Sequence, residues 1–167
     1  MKILQKKICV LGDFGVGKTS LVGRFVKNEF SEKYLTTVGV KMDTKLVTLN
    51  DALKVKLIIW DIAGENAFKK ISQTYLRGAA GFLLVIDGTR LSTLEAALDI
   101  KHNILQLLGD IPFVALINKV DIKEQWEINN EHLSRLNADE TQIFFTSAKS
   151  GEQVEEAFNL LSNALAL

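Results

Sequence analysis

Apolar and polar positions along this chain follow two rhythms, and the switching between them marks out its elements. Apolar runs of strand length lie at 3–11, 81–87, 112–118 and 141–146, rich in Val, Ile, Leu and Phe, as strands buried on both faces are. Two more, at 39–49 and 53–60, are joined at Asn50-Asp51. A turn that short predicts an antiparallel hairpin at the edge of an otherwise parallel sheet. Between the runs the period lengthens to that of a helix. Leu21, Val22, Phe25 and Val26 share one face of a segment over 18–28, and Val154, Ala157, Phe158, Leu161 and Leu165 share another near the end of the chain. Further helices are predicted over 67–77, 92–108 and 129–136. Six strands alternating with five helices form the pattern of a doubly wound α/β sheet with helices on both faces. No linker, repeat or low-complexity tract interrupts it, and residues 1–167 read as a single domain.

The loop after the first run carries chemistry. Gly12-Asp13-Phe14-Gly15-Val16-Gly17-Lys18-Thr19 fits G-x-x-x-x-G-K-[ST] between a strand and a helix, the context that gives the pattern meaning. Its glycines allow the backbone to curl so that successive N–H groups point inward at phosphate oxygens, and the following helix N-terminus adds positive potential. Asp13, Phe14, Gly15, Val16, Gly17, Lys18, Thr19 and Ser20 are the candidate phosphate contacts. Lys18 can reach the β- and γ-phosphates of a nucleotide, and the Thr19 hydroxyl can ligate Mg²⁺. The loop specifies phosphates and does not name the base.

Two later segments bear on the base. Asn118-Lys119-Val120-Asp121 closes the run at 112–118, outside the carboxyl end of a strand, where open α/β sheets bind ligands. An Asp121 carboxylate can accept from N1–H and the exocyclic amine of guanine, and adenine offers neither donor. Asn118 can tie this loop to the phosphate loop, and the Lys119 stem can lie along the base. Thr146-Ser147-Ala148-Lys149 follows the next strand, and the Ala148 N–H can donate to guanine O6. Taken singly, the first segment also fits an ordinary turn and the second an ordinary helix start. Together, beyond a phosphate loop, they favour guanine.

Trp60-Asp61-Ile62-Ala63-Gly64-Glu65 ends the hairpin, and Thr36-Thr37-Val38-Gly39 precedes it. Asp61 is placed to hold Mg²⁺ through water, and Thr37 can add a hydroxyl to the same ion. The N–H groups of Gly64 and Thr37 can reach a γ-phosphate, a contact that exists only with the triphosphate. For either threonine alone, an ordinary β-former in a loop is the commoner meaning.

Composition changes this picture little. Twenty basic residues balance twenty acidic ones, which gives no pointer to nucleic acid. The lone Cys9 sits in an apolar run, allows no internal disulfide, and fits a reducing compartment. No apolar run reaches the roughly 20 residues needed to span a bilayer. Neither a signal peptide, a Gly after Met1 nor a cysteine near Leu167 is present, so a cytoplasmic monomer without lipid anchor is expected. His102 and His132 have no metal-ligand spacing, and 123–127 reads as a solvated loop in which Trp126 could mark a contact.

In this order and spacing the five segments resemble the Ras superfamily of small GTPases over essentially the whole chain. Gly12-Asp13, Thr37-Val38-Gly39-Val40, Trp60-Asp61 and Tyr75-Leu76-Arg77-Gly78-Ala79 are similar to patterns of its Rab branch. The resemblance implies a P-loop NTPase fold with a six-stranded, mostly parallel sheet of order 2-3-1-4-5-6. It implies GTP and GDP as ligands with Mg²⁺, and an activator and an exchange factor as partners. It implies that Phe30 stacks on guanine, where the residues alone would make Phe30 core. Met42, Trp60 and Tyr75 match a patch through which Rab-like proteins contact effectors, the alternative being three residues packed on one another.

Four departures stand out. Glu65 occupies the position of the glutamine that orients the attacking water. A carboxylate can accept from that water but cannot donate to the γ-phosphate. Phe14 replaces a small residue and crowds the approach of an arginine finger, Ala67 stands in place of an arginine, and the cysteine tail is missing. These point to a divergent relative, a prokaryotic Rab-like protein among the options, or to a trimmed chain. The expectation is a guanine-nucleotide switch that hydrolyses GTP slowly, with Lys18, Thr37, Gly64 and Glu65 as the catalytic candidates. A GTP-binding interaction module with little hydrolysis is the alternative. An ATP-dependent kinase conflicts with Asp121.

Overall fold

Lys2–Gly12 forms the first strand (β1) and lies near the centre of a six-stranded sheet. The computed structural model describes residues 1–32, 37, 39–64, 73–137 and 141–167. Lys18–Lys27 is α1, Val40–Asn50 is β2 and Leu53–Ile62 is β3; Gln73–Leu76 is α2, Gly81–Asp87 is β4 and Leu91–Leu108 is α3. Phe113–Asn118 is β5, followed by a 3-10 segment at Val120–Gln125, α4 at Asn130–Asn137, β6 at Gln142–Thr146 and α5 at Val154–Leu165.

The sheet order is β2-β3-β1-β4-β5-β6, the order the resemblance implies, in a P-loop NTPase fold. β1 pairs in parallel with both β3 and β4, and β4–β5 and β5–β6 are parallel too. Only β2 runs antiparallel, with Val40 opposite Ile62 and Met42 opposite Trp60. The predicted hairpin at Asn50-Asp51 is therefore present, with its second arm extended to Ile62.

Alternation along each strand splits the core into two layers. On one face Ile8, Val10, Leu57, Ile59 and Leu83 meet Leu21 and Phe25 of α1 and Phe158 and Leu161 of α5. On the other, Cys9, Leu11, Phe82, Leu84 and Ile86 meet Leu94 and Ile104 of α3 and Leu133 and Leu136 of α4. All seven residues of β4 are buried, which explains its unbroken apolar run. Cys9 is fully buried, and burial pushes its thiol up to about 11, so it serves as a core residue.

Three expectations need comment. The helix over 67–77 falls partly outside the described residues, of which Gln73–Leu76 is helical. Phe30 is not core: it is partly exposed and lines the cavity beside the phosphate loop. Nor is 123–127 simply a solvated loop. Trp126 lies against Gly88 and Phe145, and its indole donates to the Lys119 carbonyl at 2.8 Å. Glu127 accepts from the Leu91 N–H at 3.0 Å at the start of α3. The contact that Trp126 could mark is therefore present, with partners in the turn after β4, in the loop after β5 and on β6.

Among the described residues no helix is long and apolar enough to cross a membrane. The carboxyl ends of β1, β3, β4, β5 and β6 face the same rim of the sheet, and the loops leaving them build the site.

Candidate functional site

The phosphate loop joins β1 to α1 under tight steric limits. Gly17 adopts φ 104°, and a Cβ there would overlap the Asn118 side-chain amide. Gly64 presses on the loop from the far side, where a Cβ would lie 2.6 Å from the Gly12 carbonyl oxygen and from Lys18 Nζ. Only glycine permits either approach. The Asp13 carboxylate accepts from the Phe14 N–H at 2.8 Å, fixing the first turn.

Lys18 is buried within this loop and donates to the carbonyls of Gly12 and Asp13 at 3.0 and 2.8 Å. Burial pushes its ammonium down to about 8, with Asp61 and Asp13 acting in the opposite sense. An anion beside it would favour the charged form. Asp61 is fully buried; its Oδ2 accepts from the Thr19 hydroxyl at 2.5 Å, and Oδ1 has no hydrogen-bond partner among the described residues. Burial pushes its carboxyl up, against the Thr19 bond and the Lys18 charge. The Thr37 hydroxyl hydrogen-bonds that of Thr19. The three candidate metal ligands thus come together from α1, the β2 approach and the end of β3. Two hydroxyls and a carboxylate with an unsatisfied buried oxygen suit a hard, oxygen-seeking cation. Among the described residues no group of three or more His, Cys, Asp or Glu could hold a metal.

The loops after β5 and β6 are cross-braced. Asn118 is buried, donates to the Val16 carbonyl at 2.9 Å and accepts from the Thr146 hydroxyl at 3.2 Å. Asp121 Oδ1 accepts from the Ser147 hydroxyl at 2.8 Å, which aims the carboxylate. A cavity of about 310 Å³ joins the two halves. Phe14, Gly15, Gly17, Lys18, Thr19, Ser20, Phe30, Thr37, Gly64, Asn118, Lys119, Asp121, Ala148 and Lys149 line it. Asp13, Val16 and Ser147 instead brace its walls through the bonds above. Glu65 lies outside the described residues, as do Ala67, Thr36 and Val38.

The sequence reading missed several braces. Arg24 of α1 donates through Nε to the Ala148 carbonyl at 2.8 Å and through a terminal nitrogen to the Lys149 carbonyl at 2.5 Å. Asp87, fully buried at the end of β4, accepts from Lys119 Nζ at 2.7 Å, so the Lys119 head is held by a carboxylate. Arg90 bonds both Asp87 and the Phe14 carbonyl. Partners 124, 32 and 76 residues apart leave no periodic signal. Away from the cavity, Met42 is 60% exposed opposite Trp60, whose ring lies 6.3 Å from Tyr75 with Lys7 Nζ 3.6 Å above it.

Comparison with known proteins adds a lineage to this geometry. Residues 7–166 match the model of the Ras family. Ras-related protein Rab-13 of Rattus norvegicus is 34% identical over 96% of this chain and 80% of its own length. Ras-related protein Rab-27B of Homo sapiens is 37% identical over 93% and 77%. Ras-related protein Rab-8B of Pongo abelii is 36% identical over 93% and 76%. A phosphate loop braced to a base loop, in this sheet order and with these relatives, settles the family: the chain belongs to the Ras family, as a Rab-like small GTPase.

Proposed function

We propose that this chain binds GTP and GDP together with Mg²⁺ and acts as a switch that hydrolyses GTP slowly, as a monomer of one domain over 1–167. The observation that carries the reading is the meeting of Thr19, Thr37 and Asp61 beside Lys18, in the cavity that Asp121 and Ala148 close at its other end. Phosphate chemistry and base recognition share that cavity.

Each residue has a definable task. Lys18 exchanges the Gly12 and Asp13 carbonyls for phosphate oxygens. The hydroxyls of Thr19 and Thr37 and the carboxylate of Asp61 hold Mg²⁺, which when bound neutralises charge on the phosphates. Asp121 accepts from guanine N1–H and the exocyclic amine, the Ala148 N–H donates to O6, and Phe30 covers the base. Discrimination against adenine follows, because an unpaired buried acceptor costs about 1–3 kcal/mol. In the hydrolytic step a water oxygen bonds to the γ-phosphorus as the bond to the bridging oxygen breaks. GDP leaves, and the water's proton passes to phosphate. Thr37 and Gly64 N–H groups sense the γ-phosphate, and their release after hydrolysis is the switch. Glu65 accepts from the attacking water without donating to phosphate, which alters the rate relative to a glutamine.

Met42, Trp60 and Tyr75 form the patch proposed to meet effectors, and an activator and an exchange factor set the cycle. One observation favours a second reading. Phe14 is 48% exposed on the wall of the cavity, and a bulky ring in that place would crowd an activator's arginine. A GTP-binding module with little hydrolysis is that reading.

The test is to identify the nucleotide that co-purifies, reload with GTP and Mg²⁺, and follow phosphate under single turnover. Co-purified GDP with measurable turnover supports the switch. Persisting GTP transfers support to the binding module, and no guanine nucleotide before or after reloading overturns both.

A further inference from the structure

Arg90 lies at the junction between β4 and α3, where it serves as neither phosphate-loop nor base-loop residue. Its side chain is 40% exposed, yet its guanidinium is committed on two sides. Nε donates to Asp87 Oδ2 at 3.1 Å, and a terminal nitrogen donates to the Phe14 carbonyl at 2.7 Å. The same Asp87 oxygen accepts from Lys119 Nζ at 2.7 Å. One buried carboxylate therefore joins an arginine bonded to the phosphate loop with a lysine of the base loop.

The direction of the Phe14 bond matters. In a trans peptide the C=O and the N–H of the next residue point opposite ways. An arginine that holds the Phe14 carbonyl outward turns the Gly15 N–H inward, and Gly15 lines the cavity at φ 72°. A carbonyl drawn toward a cation also makes the N–H of its peptide a stronger donor. Lys18 feels the same guanidinium: burial above all, and Arg90 among its neighbours, push the ammonium down.

We propose that Arg90 is a positioning residue for the bound nucleotide: by holding the Phe14 carbonyl and sharing Asp87 with Lys119, it aims the Gly15 N–H at the phosphates and retards nucleotide release. The inference rests on the guanine-nucleotide reading above. Its chemistry is specific to a guanidinium, because a lysine cannot span the carboxylate and the carbonyl with one rigid fork.

The experiment measures release of fluorescent GDP from the Mg²⁺-loaded wild type and the R90M, R90K and R135M variants, together with ³¹P NMR of bound GDP. Arg135 pairs with Glu95 between α3 and α4 and is a matched surface control. R90M is expected to release GDP about tenfold faster or more, the worth of a charged hydrogen bond, and to move the ³¹P signals of the bound phosphates. R90K recovers only part of the difference, and R135M matches the wild type in both readouts. R90M release within about twofold of wild type overturns the role of Arg90. So does faster release with unmoved phosphorus signals, which marks general loosening. Full recovery in R90K overturns the need for a fork. A wild type that holds no guanine nucleotide overturns the underlying reading, and the role of Arg90 with it, whereas a wild type that holds GDP isolates the result to Arg90.

Discussion

Asp87 shows how one side chain decides several others. It is fully buried and takes hydrogen bonds from Lys119, from Arg90 and from both the hydroxyl and the N–H of Thr89. Burial alone pushes its carboxyl up, but the Lys119 and Thr89 bonds outweigh that and hold it below the usual carboxylate range. A folded-state value below the unfolded one gives stability that is present above the unfolded value, about 4, and lost as pH falls through the folded value. Asp87→Asn keeps the shape and removes the charge. Urea unfolding at pH 7 should show a loss of about 1.5–3 kcal/mol, the worth of a charged hydrogen bond, and the gap to wild type should narrow below pH about 4. A gap that stays constant with pH would mean that shape, not charge, matters at this position. None of this was legible in the sequence. An Asp that ends an apolar run looks like a turn former, and nothing ties it to a lysine 32 residues later. That the phosphate-loop segment and the 118–121 segment line one cavity was legible because each is a local spacing at a strand end, whereas the braces Asp87, Arg90 and Arg24 depend on which strands become neighbours.

The connection from β5 to α4 shows the same limit at the scale of an element. Strands and long helices were readable within a residue or two, since their periodicity reports burial directly. The run at 123–127 reads as charged and exposed, yet its end is latched to the turn that follows β4. The N–H groups of Glu127 and Ile128 both donate to the Gly88 carbonyl, at 3.0 and 3.2 Å, and the Gly88 N–H donates to the Asn118 carbonyl at 3.1 Å. Trp126 covers Gly88 so closely that any Cβ there would overlap the indole. Gly88→Ala should therefore expel the ring, break its bond to the Lys119 carbonyl and cost about 1–3 kcal/mol, as overpacking does. Tryptophan emission should move to the red, read in a Trp60→Phe background so that Trp126 alone reports. An unchanged spectrum with unchanged stability would show that the backbone absorbs the methyl group and that the latch is loose. Because Trp126 holds the Lys119 carbonyl, the substitution should also speed GDP release, which couples an apparent surface loop to the base site.

At the scale of the molecule, the sheet order distinguishes this fold from other parallel arrangements of the same apolar runs. That order came from family resemblance, because right-handed crossovers alone permit several. What makes the order effective is that it puts both ends of the chain around the same helix. Phe158 of α5 is fully buried and stacks on Phe25 of α1, with ring centroids 3.9 Å apart and planes 10° from parallel. The first residue of α1 is Lys18, and Arg24 in its last turns holds the loop that carries Ala148. Core packing and ligand binding therefore share one helix, and a loss in the first should be recoverable by the second. Phe158→Ala should cost about 3–5 kcal/mol as a buried aromatic truncation, a large part of the roughly 5–15 kcal/mol that holds a domain together. GDP with Mg²⁺ at about a hundred times its dissociation constant should return about 2.7 kcal/mol by mass action, since the unfolded chain has no assembled site. Thermal melts of wild type and variant, with and without nucleotide, measure both quantities. Equal nucleotide-induced shifts in the two proteins at the same GDP concentration would show that the variant keeps an intact site and that packing sets only stability. A smaller shift in the variant would show that the Phe25–Phe158 stack also sets the position of α1 over the phosphates, so that nucleotide affinity is itself a property of the core.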